Sequence, residues 1–232
     1  MKIGGLQKTS FVDFPSRVAA VVFTLGCNFR CPFCHNGFLI DGGQEVMSEN
    51  DFFEFLKKRK GVLDGVCISG GEPMIQTDIF EFIKKIKDMG YAIKLDTNGT
   101  RPEGLGKLLE AGLLDYVAMD FKNSFANYAK TAGLKKVDIE SIKKSIKILN
   151  ESGFKYEMRT TIVPGLHTEE SLMDGAKELL SLGGKDVSWY WQNFRPIGCL
   201  DEKYCDKKSY KTEELEEWLS EVKKNVKNVY LR

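Results

Sequence analysis

Short β-rich runs alternate with amphipathic helical stretches six times along this sequence, and that rhythm leaves few folds open. The β-rich runs are "RVAAVVFTLG" (17–26), "DGVCISGG" (64–71), "YAIKLDTNG" (91–99), "LDYVAMDFK" (114–122), "KYEMRTTIVPG" (155–165) and "DVSWYWQNFRPIG" (186–198). Between them lie "SENDFFEFLKKRK", capped at Ser48 with Phe52, Phe53 and Leu56 along one face, then "TDIFEFIKKIKDMG", stopped by Gly90, and "PEGLGKLLEAG". "DIESIKKSIKILNESG" puts Ile139, Ile142, Ile146 and Leu149 on one stripe, and "TEESLMDGAKELLSLG" and "TEELEEWLSEVKKN" follow. Such alternation with short connections predicts a parallel sheet with right-handed crossovers. Six units, against the eight of a closed barrel, point to an incomplete (β/α)6 TIM-like barrel or a doubly wound open sheet. No Gly-x-Gly-x-x-Gly turn follows the first strand, which weighs against the dinucleotide-binding version. With no linker in 232 residues, residues 1–232 are expected to form a single domain.

The polar, glycine-bearing segments all fall at the carboxyl ends of the expected strands. They are the Cys27 loop, Gly70-Gly71-Glu72, Asp96-Thr97-Asn98-Gly99, Asp120-Phe121-Lys122, Arg159 to Gly165, and Asn193-Phe194-Arg195. In a parallel β/α fold these ends share one side, where active sites are built.

The first of these segments, "GCNFRCPFCHNG", holds Cys27, Cys31 and Cys34 with His35 next. The chain has six cysteines and two histidines, His35 and His167, so a multi-histidine metal site is excluded. Three thiolates could close a zinc site with His35, although adjacent Cys34 and His35 seldom turn onto one tetrahedral ion. They could also hold an ordinary electron-transfer cluster completed by Cys199 or Cys205, whereas Cys67 sits in an apolar strand and reads as core. The third reading is a [4Fe–4S] cluster on three thiolates, with one iron open to a small molecule, as catalysis requires.

The C-x3-C-x2-C spacing after the first strand, followed one β/α unit later by "SGGEP", resembles the radical S-adenosylmethionine enzymes. Membership implies that the open iron is chelated by the amino and carboxylate groups of S-adenosylmethionine. One electron then cleaves the sulfonium to methionine and a 5′-deoxyadenosyl radical. The stretch from Gly5 to Asn36, with "SGGEPMIQ", "LDTNGT", "AMDFK", "IVPG" and "QNFRP", resembles the glycyl-radical-enzyme activating enzymes, above all those of anaerobic ribonucleoside-triphosphate reductase. The resemblance implies that Phe33, Cys34 and His35 line the adenine side of the cofactor, that Gly71 with Gly70 and Glu72 meets its methionine, and that Asp120, Phe121 and Lys122 contact it from the fourth strand. Asp96 and Asp120 would lie near a monovalent cation. Arg195 stands where the pyruvate formate-lyase activator has a histidine and could hold a carboxylate, but it cannot titrate as histidine does. Arg159 is a further candidate contact, or simply an ion-pair partner of Asp120 or Glu157. Lys122 and Arg195 could equally be surface charges at loop mouths. His167 reads as a loop or cap residue, Asn98-Gly99 as a turn, and Trp189, Tyr190 and Trp191 as packing.

The implied activity is transfer of a radical to a backbone glycine of a partner enzyme, with anaerobic ribonucleotide reductase the expected partner and flavodoxin or ferredoxin the electron donor. Alternatives are activation of pyruvate formate-lyase or another glycyl-radical enzyme, and an iron–sulfur electron-transfer protein. A net charge of +1 offers no global reason to expect nucleic acid or an anionic membrane, and no apolar run reaches the roughly 20 residues of a membrane span. The first residues lack the apolar core of a signal peptide, so a cytoplasmic protein with reduced thiols is expected.

Overall fold

The computed structural model describes residues 1–41, 43–184 and 186–232. In chain order the elements are β1 (Ile3–Ser10), β2 (Ala19–Thr24), α1 (Gly37–Ile40), α2 (Glu49–Lys58), β3 (Gly65–Gly70), α3 (Ile79–Asp88), β4 (Ala92–Thr97) and α4 (Pro102–Glu110). There follow β5 (Tyr116–Asp120), α5 (Tyr128–Thr131), α6 (Ile139–Glu151), β6 (Tyr156–Ile162), α7 (Glu169–Ser181), β7 (Ser188–Asn193), α8 (Thr212–Lys223) and β8 (Val229–Leu231). The strands are ordered β1 to β8 in one sheet, and the order does not return on itself. The six strands expected from the alternation are β2 to β7. Two more flank them: β1 runs antiparallel to β2, and β8 runs parallel to β7. Gly4 and Gly5 hide β1 in the sequence, because glycine is a poor strand former. Gly4 is required by packing: a Cβ there would lie 2.4 Å from Leu25 Cδ2 and 2.5 Å from Leu39 Cδ2.

The chain divides into two compact units, one of residues 1–28, 38–97 and 103–118, the other of residues 29–37, 98–102 and 119–232. In the first, β2, β3 and β4 are parallel and in continuous register. Apart from half-buried Phe23, their apolar residues are buried on both faces, which is why these strands read as hydrophobic runs. Ser48 caps α2 by accepting from the Asp51 N–H at 3.1 Å, and Phe52 of that helix stacks on Phe82 of α3 at 5.3 Å. Register sets Cys67 beside Lys94, so Cys67, Ser69, Lys94 and Asp96 share one face of β3 and β4, while Val66, Ile68, Ile93 and Leu95 take the other.

In the second unit β6, β7 and β8 are parallel. Trp189 and Trp191 are buried and meet edge to face at 5.3 Å, and Trp189 also abuts Phe121 at 5.9 Å and donates to Thr160 Oγ1 at 2.9 Å. Tyr190 points to the opposite face and stacks on Tyr230. The aromatic run is packing, as expected. Thr168 caps α7 in a reciprocal capping box with Ser171. Among the described residues no helix is long and apolar enough to cross a membrane.

Candidate active site

In the first unit the site begins where β2 runs into the cysteine loop. Gly26, at φ +85, turns the chain, its N–H donating to Leu39 O at 2.6 Å, and Cys27 follows. The Gly70–Glu72 corner lies directly against this turn: the Gly71 N–H donates to Thr24 O at 3.0 Å and the Glu72 N–H to Gly26 O at 2.9 Å. No other residue fits at the two glycines. A Cβ on Gly70, at φ +122, would lie 2.2 Å from Thr24 N; on Gly71 it would lie 2.0 Å from Gly26 O and 3.3 Å from Cys27 Cβ. The glycines thus bring the corner onto Cys27, the first cysteine of the loop.

Glu72 is buried, with 1% exposure. Its Oε1 accepts from the Met74 N–H at 3.0 Å, capping the one-turn helix Pro73–Ile75, and from Thr97 Oγ1 at 2.7 Å. These two bonds give the carboxylate a structural duty at the corner. Asp96, at the end of β4, accepts from Ser69 Oγ at 3.0 Å and is ion-paired with Lys94, a lysine whose side chain is only 3% exposed and whose Nζ also lies 3.7 Å from Cys67 Sγ. Cys67 is core, as its strand context predicts.

The remainder of the cysteine loop, Phe29 to Gly37, belongs to the second unit. The Cys34 N–H donates to Cys31 O at 3.0 Å, closing the C-x2-C turn. Two remote segments fasten the loop. Arg30 N–H donates to Ala132 O at 2.9 Å, and Gly133 makes that approach possible, since a Cβ there would stand 1.9 Å from Arg30 O. From the other side, the Leu200 N–H donates to Cys34 O at 3.0 Å and the Asp201 N–H to Pro32 O at 2.9 Å. Phe33 and Cys31 are buried, Cys34 is half-buried and His35 is exposed. His35 Nε2 lies 2.8 Å from the Arg195 carbonyl, with its ring 6.4 Å from that of Phe194. Two candidate cofactor contacts, 160 positions apart, are therefore neighbours; the Arg195 side chain itself is exposed.

Asp120, at the end of β5, is the charge centre of the second unit. Lys122 Nζ approaches its Oδ2 at 2.8 Å, while Arg159 Nε and NH2 each approach Oδ1 at 3.2 Å. Arg159 pairs with Asp120, and Arg232 meets Glu157 at 3.2 Å. Asp120 keeps 31% of its side chain accessible, yet lies deep enough that desolvation is the largest influence on it, pushing its pKa up. The charges of Lys122 and Arg159, with their hydrogen bonds, outweigh this and hold the carboxyl below its ordinary range. For Lys122 burial again acts first, against the charge, but Asp120 and then Cys31 outweigh it and raise the ammonium's pKa. Lys122 is thus within electrostatic reach of Cys31 of the cysteine loop.

His167 lies wholly buried behind this centre. Its Nδ1 accepts from the Val163 N–H at 3.1 Å, so the proton sits on Nε2, which donates to Lys122 O at 2.7 Å. Burial pushes its pKa down to about 4, and it remains neutral. It is a positioning residue for the Asp120–Lys122 segment, a role the sequence left as loop or cap. Asn98 and Gly99 form the expected turn, with Asn98 Oδ1 accepting from the Thr100 N–H and hydroxyl at 3.1 and 2.7 Å. Phe121 is buried against Phe125, Tyr128 and Trp189 and serves the core. Thr97, Lys94, His167, Ala132–Gly133 and Leu200–Asp201 complete the two halves. Sequence reasoning passed over them because their partners lie far away along the chain.

The Radical SAM superfamily profile matches residues 21–179. A Methanocaldococcus jannaschii protein named as a glycyl-radical enzyme activating enzyme is 34% identical over 99% of this chain and 95% of its own length. A second protein of that organism, named in the same way, is 30% identical over 70% of the chain and 62% of its own length. Among solved structures, Streptococcus suis SuiB bound to its precursor peptide SuiA superposes with a TM-score of 0.69 at 18% identity, over 91% of this chain and 48% of SuiB. The chain spans about half the length of SuiB, whose complex with S-adenosylmethionine superposes with a TM-score of 0.68. The fold is shared at that identity. The chain belongs to the radical S-adenosylmethionine superfamily and, within it, to the glycyl-radical enzyme activating enzymes. It is an iron–sulfur enzyme with an open α/β sheet, and its family brings a [4Fe–4S] cluster and S-adenosylmethionine.

By their chemistry the cysteines suit a thiolate-held cluster: none of the six forms a disulfide, and Cys27, Cys31 and Cys34 share one loop. Gly71 leaves bare backbone beside Cys27, and a lysine cation acts on Cys31.

Proposed function

We propose that the glycyl-radical enzyme activated by this chain is anaerobic ribonucleoside-triphosphate reductase. The observation that carries the proposal is the chain-long run of motifs, from Gly5–Asn36 to "QNFRP", that resembles the activators of that reductase. The full-length relative named as a glycyl-radical enzyme activator supports it. Cys27, Cys31 and Cys34 would hold the cluster, which when bound supplies one electron for cleavage of the sulfonium. Phe33, Cys34 and His35 would line the adenine, with His35 steadied by the Arg195 carbonyl. Backbone at Gly70 and Gly71 would meet the methionine moiety, and Glu72 its ammonium.

Asp120, Lys122 and Arg159 would present a carboxylate and two cations of fixed orientation to the polar parts of the cofactor, with Phe121 anchoring the segment in the core. Lys122 would also draw charge toward Cys31. A monovalent cation near Asp96 or Asp120 would join carboxylates already matched by Lys94 and by Lys122 with Arg159. A low-potential protein such as flavodoxin or ferredoxin would deliver the electron.

The test is electron paramagnetic resonance on the anaerobic, cluster-loaded protein with dithionite, S-adenosylmethionine and either the reductase or pyruvate formate-lyase. A glycyl doublet on the reductase alone is expected. A doublet only on pyruvate formate-lyase would move the assignment to the other partner.

A further inference from the structure

The segment that straps the second part of the cysteine loop carries two cysteines that the radical chemistry does not use. Gly198, at φ +63, turns the chain into Cys199, and Asp201 caps the single 3-10 turn Glu202–Tyr204 that ends at Cys205. This turn folds Cys205 back so that its Sγ accepts from the Cys199 N–H at 3.4 Å. Burial first, and the neighbouring Cys205 second, push the Cys199 thiol up to about 11. Cys199 is 9% exposed and Cys205 is half-exposed, so Cys205 is the more accessible residue of the pair and Cys199 the sheltered one. Between them in sequence lie Leu200 and Asp201, the residues that hydrogen-bond to Cys34 and Pro32.

We propose that Cys199 and Cys205 form a dithiol site for thiol–disulfide exchange, taking a low-molecular-weight disulfide as substrate and closing to an intramolecular disulfide. The accessible Cys205 thiolate attacks one sulfur of the substrate disulfide, forming a mixed disulfide and releasing the first thiol, which takes up the Cys205 proton. Cys199 then loses its proton and attacks the Cys205 sulfur; the second thiol leaves with that proton. The protein thiols are oxidised by two electrons, the substrate disulfide is reduced by two, and one disulfide replaces another. The order follows from access: a sheltered thiol with a raised pKa is a poor first nucleophile but is already placed to resolve the adduct. The ring so closed contains the two N–H donors that fasten the cluster loop, so the redox state of the pair reports on that strap.

The test uses the anaerobic, cluster-loaded protein equilibrated with mixtures of oxidised and reduced glutathione, quenched with N-ethylmaleimide and read by intact and peptide mass spectrometry. The expected product is a chain lighter by two hydrogens, with a peptide linking Cys199 to Cys205 and no persistent glutathione adduct. Cys199→Ser should stop at one glutathione on Cys205, and Cys205→Ser should leave Cys199 unmodified. Persistence of a glutathione adduct in the unsubstituted protein would overturn the proposal. So would full alkylation of both cysteines at every ratio, or a link to Cys67 or a loop cysteine.

Discussion

Two carboxylates stand at strand ends of this enzyme, and they are handled in opposite ways. Glu72, in the first unit, is sealed from solvent and satisfied by a backbone N–H and a threonine hydroxyl. Asp120, in the second, keeps about a third of its side chain accessible and is matched by two cations. The first corner is built by shape, because two glycines allow backbone to touch backbone; the second is built by charge. The contrast teaches that the same motif-level label, a polar residue at the end of a strand, covers different energetics, and substitutions should separate them.

The largest effect is expected at Gly71. Gly71→Ala drives a Cβ against the Gly26 carbonyl, rigid backbone at the entrance to the cysteine loop, and should cost about 3 kcal/mol or more, with loss of bound iron. Denaturant unfolding and iron analysis check this; parent-like values would remove shape as the organising feature of that corner.

Second comes the pH dependence of His167. Its folded pKa of about 4 lies below the 6.5 of the unfolded chain, so the unfolded state binds the proton first as pH falls. Its contribution is complete above pH 6.5 and is lost toward pH 4, on the order of 3 kcal/mol. Urea midpoints from pH 7 to pH 4 should show this limb, and His167→Gln should flatten it. An identical limb in the variant would assign it to other groups.

Next in size is Asp120→Asn, which leaves Lys122 and Arg159 facing each other. With Asp120 31% accessible, a cost of about 2 kcal/mol is expected, below that of a fully buried pair. A companion Arg159→Leu substitution should recover part of it in a double-mutant cycle, and strict additivity would break the charge account. The smallest change in stability, about 1 kcal/mol or less, is expected for Glu72→Gln, which keeps an acceptor for Met74 and Thr97. Its S-adenosylmethionine affinity, measured by calorimetry, should fall about tenfold. Unchanged affinity would leave Glu72 with the structural duty alone.

The strands β2 to β7 were legible because β-rich runs alternate with helical stretches, and the helices because a cap such as Ser48 and regular apolar stripes mark them. Strand β1 was not: Gly4 answers to Leu25 and Leu39 and Gly5 to Phe23, contacts no local pattern encodes. The same holds at the site. Cys27, Cys31 and Cys34 stand out because a single loop carries all three. The clamp of that loop by Ala132–Gly133 and Leu200–Asp201 spans about 100 to 170 residues of sequence and leaves no periodic trace. Lys94 drew no notice in the sequence, yet it is buried with its ammonium against Asp96.

The central claim is that three thiolates hold a cluster whose fourth iron takes S-adenosylmethionine. The most direct measurement is the electron paramagnetic resonance spectrum of the reduced, cluster-loaded protein before and after that cofactor is added. A shifted signal accompanied by release of methionine is the predicted result. An intact cluster with a spectrum indifferent to the cofactor, and no methionine formed, would contradict it.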